Sequence, residues 1–115
     1  MADLFKTRDQ LIQRALKELG ALLPGEAAAP EDYATVDDMI DPLVAQLNSD
    51  TVYYVQDPDQ IELDAFMPLA RLLANVCGPE FGAPINDDAK TRDEAILKRI
   101  GSTRPTFEAQ RVDYF

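Results

Sequence analysis

The chain has 115 residues, 46% of them apolar and 28% charged, a formal net charge of −10 at pH 7 and no histidine. That length suits one small domain, the composition argues against a wholly disordered chain, and the missing imidazole excludes any mechanism built on histidine as base or metal ligand. The charge is also segregated: no lysine or arginine lies between Glu18 and Ala70 against twelve acids counting Glu18, whereas residues 90–115 carry six basic residues and four acidic ones.

Residues 7–20 read as a complete helix. Thr7 followed three positions later by Gln10 is a capping-box pattern, and Gly20 supplies the stop. Leu11, Ile12, Ala15, Leu16 and Leu19 draw one apolar stripe at the 3.6-residue period. A helix this short is marginal alone in water, so the stripe has to dock. Its basic residues Lys6, Arg8, Arg14 and Lys17 make a face that could meet a neighbour's acidic one.

Residues 21–29 read as a turn and a connector. Pro30 suits a first helical position, and Glu31 and Asp32 suit the dipole there. Tyr33, Val36, Met39, Ile40, Leu43, Val44 and Leu47 keep helical spacing, interrupted by Pro42, which predicts a kink or a restart with Asp41 as cap. Residues 48–50 end that helix. Residues 51–55, Thr-Val-Tyr-Tyr-Val, form the one strand-like run, which without a visible partner must pair with another chain or serve as a partly solvated connector.

Residues 61–77 predict a strong helix, with Pro68 either kinking it or moving its start to about Asp64. A Gly/Pro-rich loop covers residues 78–84. Asn86 then caps a last helix from about Asp87 to Ile100, acidic at its start and basic at Lys98 and Arg99, with Gly101 closing it. The expected architecture is all-α: a bundle of about four helices over residues 1–101, with residues 102–115 as an extended C-terminal arm.

Three of the chain's nine aromatics, Phe107, Tyr114 and Phe115, lie in that arm, interspersed with Arg104 and Arg111. Fully extended it reaches roughly 45–50 Å at about 3.3 Å per residue, so it can leave its own domain. Two readings stay open. The rings fold back onto the domain's own core, or they anchor in a partner, aromatics and arginine being enriched at interface hot spots. Tyr53 and Tyr54 are open in the same way: one ring in and one out, or an interface.

Sites for chemistry are sparse. Cys77 lies on the apolar side of a helix with no histidine to activate it, which favours a core role, and one cysteine forms no internal disulfide. Asp57, Asp59, Glu62 and Asp64 fail as a calcium loop, because Glu62 stands where glycine is needed. Asp37, Asp38 and Asp41 share a helix face and read first as a solvated acidic surface. No metal, cofactor or enzymatic activity is expected. The longest apolar run is broken by Arg71 short of the roughly 18 residues a membrane span needs, and residues 1–5 lack the apolar stretch of a signal peptide.

The capped helix of residues 7–20, the acidic helix after it, the helix and loop of residues 64–82 and the C-terminal arm together resemble the head-to-tail adaptor (head–tail connector) proteins of tailed bacteriophages. That resemblance implies a helical bundle that forms a ring, usually twelve-fold, beneath the portal at the head–tail junction of the virion, after assembly in the host cytoplasm. It implies a homo-oligomer, with the portal and a downstream tail protein as partners. DNA would pass through the channel without sequence-specific binding. The arm residues Arg104, Pro105, Phe107, Arg111, Tyr114 and Phe115 would dock on the portal. Arg8, Arg14, Lys17, Asp37, Asp38, Tyr53 and Tyr54 are the candidates for contacts between subunits. The rival reading is a soluble acidic helical module, such as an inhibitor, that occupies a basic groove on a partner.

Overall fold

The computed structural model describes residues 4–103. Over them the order is β1 (Phe5–Lys6), α1 (Arg8–Glu18), α2 (Pro30–Ser49), β2 (Ile61–Glu62), α3 (Leu63–Cys77), a 3₁₀ turn (Gly78–Phe81) and α4 (Asp87–Thr103). The body is all-α, with one two-residue antiparallel ribbon that pairs Phe5 with Glu62 and Lys6 with Ile61. The C-terminal arm expected over residues 102–115 lies outside the described residues from position 104 onward.

The organising element is α3, which packs on α1, α2 and α4. Nine of its fifteen residues are buried, among them Leu69, Leu72 and Leu73, so it is apolar around most of its circumference, as a central helix must be. The stripe on α1 docks against it as Leu11, Ile12, Ala15 and Leu16, and α2 contributes Val36, Ile40, Leu43 and Leu47. By contrast α4 buries only Asp93 and Leu97 completely, with Ile100 half-buried beside them.

The helix ends follow the local chemistry. Thr7 Oγ1 accepts from the Gln10 N–H at 3.1 Å while the Gln10 amide oxygen accepts from the Thr7 N–H at 2.9 Å, so the capping box is formed. At the other end of α1, Gly20 has φ 75°, and the Ala21 and Gly20 N–H groups return to the carbonyls of Leu16 and Lys17. This is a Schellman closure. Asn86 caps α4 by accepting from the Ala89 N–H at 3.1 Å, and is itself clamped by a pair of 2.8 Å hydrogen bonds with the Asn75 side chain on α3.

The end of α2 uses the same closure with a less suitable residue. Val52 and Thr51 donate to Leu47 and Asn48, and Thr51 takes the left-handed position with φ 55°. A β-branched side chain there crowds its own backbone, a cost glycine avoids. Thr51→Gly is therefore expected to stabilise the protein by about 1 kcal/mol, the relief of strain exceeding the extra entropy of glycine in the unfolded chain. Urea-induced unfolding of the two proteins measures it, and a midpoint that falls would show that Thr51 is not strained.

Two expectations need correction, the start of α3 and the close of α4, and at two places one of the open alternatives is decided. Residues 51–55 take the connector alternative, burying Tyr53 and Val55 and exposing Tyr54. The ribbon instead uses Phe5–Lys6 and Ile61–Glu62, so α3 begins at Leu63, because Ile61 and Glu62 are spent in pairing. α2 runs through Pro42 without a restart. Both Pro42 and Asp38, whose carbonyl loses its helical donor, are exposed, and water can serve that carbonyl. Gly101 does not close α4, which continues to Thr103, so Lys98 and Arg99 sit short of its last turn. A Cβ at Gly101 would lie 3.5 Å from the Tyr53 ring, so it is the close packing of helix and connector that occupies this position.

Candidate functional site

The acidic face of α2 resolves into two parts. Tyr33, Asp37 and Asp41 fall four residues apart and so share one side of the helix. That side faces the start of α1. The capping box puts Arg8 in the first turn, and its guanidinium reaches across: Nε donates to Asp37 Oδ1 at 2.6 Å, Nη1 to Asp41 Oδ1 at 3.2 Å and Nη2 to the Asp37 carbonyl at 3.1 Å. Partial burial of Arg8 works against its charge, but the hydrogen bonds and charges of the two carboxylates prevail and its pKa is raised. Arg8 and Asp37 are thus consumed in an intrachain seam. Asp38, on the outer side, is exposed.

Beside this seam the Tyr33 hydroxyl donates to Asp9 Oδ1 at 2.7 Å. The hydrogen bond to Asp9 holds the phenol proton, burial and the Asp9 charge add to it, and the pKa is pushed up to about 12. For an acid whose folded pKa lies above its unfolded value, the stabilisation is complete below the unfolded pKa near 10 and is lost as pH rises through 12. In Asp9→Ala the Tyr33 ionisation is expected to fall back toward 10. Absorbance at 295 nm against pH reads this step, and an unchanged late-ionising tyrosine would refute the assignment.

The other basic residues of the expected face are also partly occupied. Lys6 places its ammonium 5.8 Å over the Phe66 ring, a cation–π contact, and Arg14 pairs with Glu18 one turn along α1. Lys17 is exposed. Of the subunit-contact candidates, Lys17, Asp38 and Tyr54 therefore remain as open surface, Tyr53 is buried, and Arg8, Arg14 and Asp37 are tied within the chain. The docking residues Arg104, Pro105, Phe107, Arg111, Tyr114 and Phe115 lie outside the described residues.

Cys77 is fully buried, and burial together with the Glu80 charge pushes its thiol up to about 11, which makes it a poor nucleophile near neutral pH. Among the described residues no group of three or more acidic or cysteine side chains is placed to hold a metal ion, and no helix is long and apolar enough to cross a membrane.

An open groove of about 1140 Å³ lies between residues 51–60, the β1–β2 ribbon and the last turns of α4. Phe5, Val52 and Tyr54 contribute apolar lining, and Asp57 and Lys98 line it as well. Phe5 and Tyr54 are 44% and 61% exposed, unusual for large rings on a small body. Its floor is fixed by the Tyr53 hydroxyl, which donates to Glu62 Oε1 at 2.7 Å and so ties the connector to the ribbon. Sequence reading found the two tyrosines but not the groove, because Phe5 and Gly101 join it only through pairing and packing between distant segments. Comparison with protein families, with curated proteins and with solved structures gives no match to this chain.

Proposed function

We propose that the protein is a structural adaptor of a tailed-phage head–tail junction, forming a ring, twelve-fold by the resemblance, beneath the portal and above a downstream tail protein. The sequence resemblance is the basis of this reading, and the distribution of charge is the observation on the molecule that supports it. Among the described residues, Asp38, Asp50, Asp57 and Asp59 are exposed and enter no salt bridge, and residues 19–70 contain no cation. A surface of this kind turned to a channel repels DNA phosphates, so the genome slides without sticking. Exposed cations such as Lys17, Arg92 and Arg99 lie on α1 and α4, which suits a ring, where each subunit presents two different surfaces.

In this reading the arm after Thr103 carries the portal contacts, and no catalysis is involved. The test is native mass spectrometry of the full chain mixed with its portal. A closed ring on the portal is the expected result, with docking lost when residues 104–115 are removed. A monomer that ignores the portal overturns the proposal. A monomer or dimer that instead binds a basic protein, with affinity falling steeply as salt rises and unaffected by that truncation, would establish the inhibitor reading in its place.

A further inference from the structure

We infer that the solvent face of α4 docks on the solvent face of α2 in a second copy of this chain, as a head-to-tail contact. Such a contact deepens the ring reading, on which it rests, by specifying the two unlike surfaces a closed ring requires. Its first support is the chemistry of α4. Between residues 89 and 100 the exposed positions of this helix are Thr91, Arg92, Ala95, Lys98 and Arg99. The acids of that stretch are already used: Asp93 is buried against Arg71, and Glu94 pairs with Lys90. A chain of net charge −10 thus turns a cationic helix face to solvent, and Arg92, Lys98 and Arg99 enter no ion pair among the described residues.

The second support is spacing. On α2, Glu31, Ala34 and Asp38 are exposed; on α4, Arg92, Ala95 and Arg99 are exposed with the same intervals and the opposite charge. The outer two of each set lie two turns apart on one side of the helix, roughly 10 Å at about 1.5 Å per residue. Glu31 and Asp38, like their counterparts, enter no ion pair among the described residues. The alanine between the charges lets the two helices approach closely. Because both charges on a helix have one sign, two opposite pairs form whichever way the helices run. All six positions are exposed, so the match is unused within one chain. Nucleic acid suits the cationic face less well, since its few cations stand on a body whose overall charge repels phosphate. Two copies also repel at long range, but at about 0.15 M salt that repulsion is screened beyond roughly 8 Å, and the facing pairs lie within this range.

The test uses full-length chains without the portal, at about 0.15 M salt, by sedimentation velocity and native mass spectrometry. One variant reverses α4, Arg92→Glu/Arg99→Glu, and a second reverses α2, Glu31→Arg/Asp38→Arg. A third, Asp50→Arg/Asp59→Arg, has the net charge of the second but alters exposed acids away from Glu31 and Asp38. Each of the first two is expected to stay monomeric alone, because like charges then face each other. Their mixture is expected to associate at least tenfold more tightly than the α4 variant mixed with the third. The single exchanges Arg99→Glu and Asp38→Arg give the same pattern at smaller amplitude and replace a double variant that does not fold. A mixture that associates no better than the control overturns the inference. So does an α4 variant that still closes a ring on the portal as the parent does, a result that leaves the ring reading standing. A parent that forms no ring, while the charge-exchanged mixture associates, overturns the ring reading alone. Parent binding to duplex DNA that the α4 variant loses, with no gain in the mixture, also overturns the inference, by assigning the face to nucleic acid.

Discussion

Arg71→Met is expected to cost about 3 kcal/mol of folding stability. Asp93 is only 1% exposed, and the Arg71 guanidinium meets its Oδ1 through Nε and Nη2, both at 3.1 Å. Removing one partner of a buried ion pair leaves an uncompensated charge, typically a loss of about 3–5 kcal/mol. The lower end applies because the Arg71 side chain is 36% exposed, so water can approach once the guanidinium is gone. Methionine retains the aliphatic bulk, which isolates the electrostatic loss from the packing loss.

The converse change should be milder. In Asp93→Leu the arginine is left unpaired but can turn to water. The double variant Arg71→Met/Asp93→Leu is expected to recover most of the loss, since a packed apolar pair replaces an ion pair at little or no net cost. Urea denaturation of the four proteins gives the coupling energy. A loss below about 1 kcal/mol in Arg71→Met would show that Asp93 does not depend on this cation.

Leu97→Ala is expected to cost a similar amount, about 3 kcal/mol, within the range of roughly 2–5 kcal/mol for emptying a buried leucine site. Its interest is local. Leu97 is the single apolar side chain that α4 buries completely, one turn beyond Asp93 and three residues before Ile100. The helix is therefore held to α3 by the Asn75–Asn86 clamp at its start, one ion pair and one fully buried leucine. Hydrogen exchange should show α4 losing protection more than α1 or α3, because the helix can peel off before the core opens. Uniform acceleration in all four helices would mean that α4 and the core unfold as one unit. Since Lys98, Gly101 and Ser102 line the groove, loosening α4 should also open that wall.

What could be read from the residues in order was whatever is decided within a turn or two of helix. The Thr7–Gln10 box, the Gly20 stop, Pro30 in the first turn of α2 and the Asn86 cap all concern hydrogen bonds between near neighbours, and all are present. Apolar periodicity likewise announced the first three helices, and the cap and end charges announced the fourth. Tertiary structure decided everything that depends on pairing across the chain. The β-propensity of residues 51–55 had no partner, while Phe5–Lys6 and Ile61–Glu62, without such a signal, were brought side by side. Gly101 looked like a terminator but lies against Tyr53, where α4 and the connector close on each other. Arg8, Asp37 and Asp41 looked like surface charge, and only the approach of α1 to α2 turned them into an intrachain seam. The groove belongs to this second class: segments distant in sequence contribute its lining, and no local pattern encodes their meeting.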